Sequence, residues 1–141
     1  IIMDLNGLKD ANDQLGHDAG DALLRRFGEV LNSVVSRPNH AARIGGDEFA
    51  ILMPGADRKA VHAMVETVTE LLNINNQFYS NAPISVSIGC ATSMEGESME
   101  DMVKRADRAM YDDKRAYYSG HSSPENLTSR QACAEKIASR A

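Results

Sequence analysis

Only two cysteines occur in the 141 residues, Cys90 and Cys133, far apart and without the spacing of metal ligands. A disulfide framework is therefore not expected. Cys90 lies in an apolar, strand-like run, where a thiol serves as a small core residue. No apolar run approaches the roughly 20 residues of a membrane span, and no signal peptide is visible. A reducing, cytoplasmic setting follows as the default. A basic surplus is missing too: fifteen Lys and Arg against twenty Asp and Glu give a formal net charge of −5. That excludes a surface built to track a nucleic-acid backbone. A single nucleotide held through a cation remains open, because the cation reverses the local field. No internal repeat is found. The chain has no initiator Met; it opens on Ile1-Ile2-Met3, already strand-like, and reads as a piece of something longer.

What is present suits one soluble globular domain, with 43% hydrophobic and 25% charged residues. Ile1 to Leu5 is a short buried strand carrying Asp4 near its C-terminal end. Asn6 to Gly16 is polar and punctuated by glycine, with one helical turn around Lys9 to Asn12. From Asp18 onward Leu23, Leu24, Phe27, Val30, Leu31 and Val34 recur at helical spacing, and Pro38 ends that helix. Val61, Met64, Val65, Val68, Leu71 and Leu72 stripe a second helix. From Pro83 to Ala91 the residues Ile84, Val86, Ile88 and Cys90 alternate with Ser85, Ser87 and Gly89. That predicts a strand whose small-residue face is closely packed by something. Ser98 and Asp101 resemble a capping box ahead of a third helix striped by Met99, Met102, Val103, Ala106 and Met110. After Tyr118, residues 119–124 read as a linker and 127–141 as a short terminal helix. Strands interleaved with helices, plus one hairpin, predict an α/β (α+β) fold: a central mixed sheet flanked by helices.

The hairpin carries the chemistry. Ala41-Ala42-Arg43-Ile44 and Phe49-Ala50-Ile51-Leu52-Met53 flank Gly45-Gly46-Asp47-Glu48. Gly-Gly supplies the positive φ angles of a two-residue hairpin turn, and bare backbone there lets a ligand approach closely. Paired acids at such a tip point to a divalent cation, and a cation beside exposed N–H groups points to a nucleotide phosphate. The bland alternative is a solvated acidic tip. If the first strand neighbours the hairpin, Asp4 converges with Asp47 and Glu48. Mg²⁺ takes one or two protein carboxylates plus substrate phosphates, a demand these acids and a backbone carbonyl such as that of Leu5 can meet.

Taken with Asp4-Leu5-Asn6-Gly7-Leu8-Lys9, Asn12-Asp13, Gly16-His17-Asp18-Ala19-Gly20-Asp21, Ser87-Ile88-Gly89 and Ala106 to Tyr111 with Lys114, the segment Arg43 to Phe49 resembles the GGDEF family of diguanylate cyclases. The resemblance spans residues 1–118, with its blocks in order and at matching spacing. It implies a palm-like, nucleotidyl-cyclase-like fold and the condensation of two GTP to cyclic di-GMP with release of pyrophosphate. A second GGDEF domain would face the first in a homodimer, with an upstream sensor domain in the parent protein. The resemblance also implies that Asp4, the Leu5 carbonyl, Asp47 and Glu48 hold one or two Mg²⁺ (or Mn²⁺) ions per active site. Asp47 is the favoured proton acceptor and Glu48 the stronger metal ligand. Asn12 and Asp21 would read guanine, His17 would shape the pocket, Lys9 and Lys114 would neutralise phosphate, and Gly45 and Gly46 would admit the nucleotide. Read alone, Asn12 is a turn former, Asp21 a helix N-cap, His17 structural, and each lysine solvated. The alternative function is a non-catalytic GTP-binding module that controls a tethered partner.

Three departures from the family pattern stand out. The product-feedback register reads Ser36-Arg37-Pro38-Asn39, without its two charged anchors, so tight product binding is not expected there. Tyr118 stands where an arginine is common, and Arg115 sits about 100° around the helix from Lys114 and cannot replace it. Asn6 replaces a frequent aspartate. The helix that precedes the first strand in the family is not in this sequence, so one sheet face is expected to be incompletely covered.

Overall fold

A computed structural model describes residues 1–120 of the chain. The elements in order are β1 (Ile2–Leu5), α1 (Leu8–Leu15), α2 (His17–Val34), β2 (His40–Arg43), β3 (Glu48–Leu52), α3 (Arg58–Phe78), β4 (Val86–Gly89) and α4 (Met99–Tyr118). The predicted terminal helix at 127–141 and Cys133 lie outside the described residues. No helix among the described residues is long and apolar enough to cross a membrane.

The strands form one sheet in the order β2-β3-β1-β4. All three pairings are antiparallel, which corrects the expected mix of strand directions within an α+β fold that otherwise stands. Period-two alternation divides the sheet into two faces. Met3, Leu5, Phe49, Ile51, Val86 and Ile88 face a large core closed by Leu24, Phe27 and Leu31 of α2 and by Val65, Val68 and Leu72 of α3. Phe27 is fully buried there and meets Phe49 edge to face, with ring centroids 4.9 Å apart. Ile2 lies in a second, smaller cluster with Ala106 and Met110 of α4.

Gly89 explains how closely α4 sits. A Cβ at this position would run into the Ala106 carbonyl and the Met110 amide, which are backbone atoms and cannot swing aside. The small-residue face predicted for this strand is therefore the seat of α4. Ser98 caps α4 by accepting from the Asp101 amide, as expected. The predicted stripe on α4 is corrected at its start: Met99 and Val103 are exposed, and only Ala106 and Met110 are buried. Beside them, Ile2, Ala50, Leu52, Met53, Met102 and Val103 line an apolar groove of about 410 Å³, so this face is incompletely covered.

Local boundaries also differ from the sequence reading. The 6–16 segment holds a full two-turn α1 rather than a single turn, and α2 begins at His17. The turn between β2 and β3 spans residues 44–47, not two residues. Neither Gly45 nor Gly46 has a positive φ; that backbone occurs instead at Gly7, Gly16, Gly55, Gly96 and Gly120. Cys90, expected as a core residue, is only half-buried.

Candidate active site

The antiparallel register brings the acids together. Asp4 on β1 lies directly opposite Glu48 on β3 and opposite Ser87 on β4. Residues so paired share a face, with Cβ atoms about 4.5–5.5 Å apart. One residue further along, the Leu5 amide donates to the Asp47 carbonyl at 3.0 Å, which ties the turn to the end of β1. Carboxylates 43 and 44 positions apart in sequence thus meet at one sheet end, on the face that α4 covers.

Two carboxylates directly opposed across strands repel each other, and burial makes that costlier. Asp4 is 4% exposed. Burial pushes its pKa above the ordinary carboxylate value; the Lys114 hydrogen bond opposes this and the charge of Asp47 adds to it. Lys114, one face of α4 reaching down, places its Nζ 2.7 Å from Asp4 Oδ1. Its own pKa is raised: desolvation pulls it down, but the hydrogen bond and charge of Asp4, with Asp47 behind, outweigh that. The lysine expected to face phosphate is therefore engaged with Asp4, the acid expected to hold a metal.

These side chains fit a hard divalent ion. The donors are all oxygen, one carboxylate is desolvated, and the cation paired with it among the described residues is a single ammonium. Among the described residues no cluster of three or more His, Cys, Asp or Glu stands ready as a complete side-chain ligand set. A Mg²⁺ centre here would draw its remaining ligands from backbone carbonyl, water and substrate phosphate.

The other predicted residues fall into one neighbourhood and one outlier. The corner at Gly16, whose φ of 88° suits only glycine well, brings Asn12 on α1 against Gly20 of α2, the residue before Asp21. The Gly20 amide donates to Asn12 Oδ1 at 3.1 Å, and a Cβ at Gly20 would collide with the Asn12 carboxamide. Asn12 is thus held in a helix rather than forming a turn, and Asp21 lies within α2 rather than capping it. Asp21 and His17 are exposed on the same end of α2. Lys9 is the outlier, exposed on α1 with no ion pair among the described residues. At the turn, a Cβ on Gly45 would come 2.7 Å from Glu48 Oε2, so glycine here makes room for the acid itself.

Several supporting residues were not legible beforehand. Asn6 accepts from Ser87 Oγ at 2.8 Å and donates to Ser85 Oγ at 3.1 Å, fastening the loop after β1 to β4. Asp113 of α4 accepts from the Ile88 amide at 2.9 Å. Tyr118 accepts from the Gly7 amide at 3.1 Å, one helical turn beyond Lys114. The alternating serines around β4 hinted at a polar partner; nothing in the sequence pointed to Tyr118 reaching Gly7.

A four-stranded antiparallel sheet with helices on both faces, presenting acids from β1 and a glycine turn at one end, defines a nucleotidyl-cyclase-like α+β domain. Residues 1–119 match the diguanylate cyclase GGDEF domain, and the chain belongs to that family. Among its relatives are diguanylate cyclase DgcS of Shewanella oneidensis, 32% identical over 81% of this chain, and diguanylate cyclase DgcP of Pseudomonas aeruginosa, 31% identical over 82%. The chain spans only 38% and 17% of the length of those two proteins. Among solved structures, the GGDEF domain of DgcB from Caulobacter crescentus in complex with c-di-GMP superposes with a TM-score of 0.68 at 32% identity, covering 82% of this chain and 70% of that one. The active GGEEF domain of a diguanylate cyclase from Vibrio cholerae gives 0.70 at 27% identity, covering 84% and 75%.

Proposed function

We propose that residues 1–118 form a catalytic diguanylate cyclase domain that binds one GTP and joins it to a second GTP held by a facing copy. The observation that carries this reading is the opposition of Asp4 and Glu48 across β1 and β3, with Asp47 tied to Leu5 beside them. Asp4, the Leu5 carbonyl, Asp47 and Glu48 would hold one or two Mg²⁺ or Mn²⁺ ions, which supply charge neutralisation on the triphosphate and acidify the attacking 3′-hydroxyl. Asp47 takes the proton from that hydroxyl as it attacks the partner's α-phosphorus and pyrophosphate departs. Lys114 leaves Asp4 as charge arrives and turns to phosphate. Lys9, on the first turn of α1, adds a second cation.

Guanine offers N1–H and N2–H donors on one edge and O6 and N7 acceptors on another. Asp21 accepts from the donors and the Asn12 amide meets an acceptor, with His17 beside them at the start of α2. Gly20 keeps the Asn12 carboxamide turned the right way. GTP as substrate makes the cytoplasm the working compartment.

Calorimetric titration with GTP and with ATP tests the base pocket. The wild type is expected to prefer GTP by at least about tenfold, a gap of about 1.4 kcal/mol. Asp21→Ala and Gly20→Ala are each expected to erase most of that preference. Equal binding of ATP and GTP by the wild type would remove Asn12 and Asp21 from the site.

A further inference from the structure

Arg43 ends β2 and turns back over the tip of the hairpin. Its Nε donates to the Gly45 and Gly46 carbonyls, both at 3.1 Å, and its Nη2 donates to the Gly46 carbonyl at 2.7 Å. Among the described residues it forms no ion pair with Asp47 or Glu48. Its charge is engaged on two successive backbone carbonyls instead. A planar guanidinium can reach both from one side; an ammonium is a single point.

A trans peptide aims its C=O and its N–H in opposite directions. With the Gly45 and Gly46 carbonyls both drawn onto one guanidinium, the amides of Gly46 and Asp47 face away from it together. The hairpin is closed by other donors: the Ile44 and Gly45 amides both give to the Glu48 carbonyl, at 2.9 and 3.3 Å. Neither the Gly46 nor the Asp47 amide has a protein acceptor among the described residues. Successive backbone N–H groups converging on a turn favour an anion, and this pair adjoins the acid assigned the proton.

We propose that Arg43 is a positioning residue for the cyclase reaction: by gripping the Gly45 and Gly46 carbonyls, it aims the Gly46 and Asp47 amides at a phosphate of the bound GTP. This role rests on GTP being the nucleotide seated at the turn. Arg43 touches no reacting atom itself. It fixes donors that must already be aligned when charge shifts onto the phosphate oxygens.

The test pairs Arg43→Ala and Arg43→Lys with amide NMR and product kinetics. In the wild type, a non-hydrolysable GTP analogue with Mg²⁺ is expected to shift the Gly46 and Asp47 amide resonances along with those near Asp21. In Arg43→Ala the analogue still shifts the Asp21 region, while the Gly46 and Asp47 response falls to a small fraction. The kcat for cyclic di-GMP formation drops about tenfold with KM changed less than about threefold, as expected for donors that act in the transition state. Arg43→Lys falls between the two, and an unchanged melting temperature marks both variants as folded. Wild-type kcat in Arg43→Ala, or turn amides in the wild type that ignore the analogue while the Asp21 region responds, would overturn the role. A wild type that binds no analogue anywhere overturns the GTP reading itself, and the role of Arg43 with it.

Discussion

Asp4 is a buried carboxyl at the centre of the proposed chemistry. Burial raises its pKa and Lys114 only partly offsets the effect. A carboxyl whose folded pKa exceeds its unfolded one stabilises the fold while protonated. That contribution is complete below the unfolded value of about 4 and is lost as pH rises through the raised folded value. Above that range the charge on Asp4 works against folding, and a cation that joins it relieves the cost. Asp4→Asn is expected to raise the melting temperature at pH 7 by about 3 °C, to change it little near pH 4, and to abolish product formation. Removing the opposing cation with Lys114→Ala is expected to move the Asp4 titration, followed by carboxyl carbon NMR, further upward. GTP binding with Mg²⁺ should weaken on the acid side as Asp4 protonates, and Lys114→Ala should shift that limb to higher pH. At this scale the sequence singled out the acids that strand pairing draws to one sheet end, but not their partners. Asp4, Asp47 and Glu48 stand out as acids flanked by apolar or glycine residues, whereas the Lys114 contact crosses 110 positions and leaves no local trace.

At the scale of elements, the faces of the helices and strands follow from periodicity, and the close approaches follow from glycine. The alternation around β4 marked a small-residue face, and Gly89 proves to be where the α4 backbone lies against the sheet. Gly89→Ala is expected to destabilise the domain by about 1–3 kcal/mol through overpacking against backbone, read as a lower denaturant midpoint with an unchanged m-value. It should also lower activity, because α4 carries Lys114 and would be lifted from Asp4. A neutral Gly89→Ala would show that α4 can shift freely. Where the sequence reading went astray, tertiary geometry overrode a local rule. The Gly-Gly pair looked like a positive-φ turn, yet the turn is longer and Arg43 together with the Glu48 carbonyl sets its shape. Met99 and Val103 kept helical spacing but face the apolar groove instead of a packed core. Periodicity reports a hydrophobic face and not what covers it.

As a whole molecule, the domain presents one acidic sheet end with α1 and α2 beside it. In the proposed reaction a single copy would hold one GTP, whereas the product contains two nucleotides joined in a ring. On that proposal the second nucleotide would come from a second copy, and turnover would be a property of an encounter. Family membership was legible from motif blocks in order; the sheet order that makes those blocks converge was not, because antiparallel pairing of β1 with both β3 and β4 leaves no mark in either strand alone. The most direct test of this convergence is mass-spectrometric measurement of cyclic di-GMP formed from GTP and Mg²⁺ across a range of protein concentrations, with Asp47→Ala alongside. The expected result is product from the wild type, with a rate per domain that climbs with concentration, and a loss of at least about a hundredfold in Asp47→Ala. GTP binding without product at any concentration, or equal rates for wild type and Asp47→Ala, would contradict it.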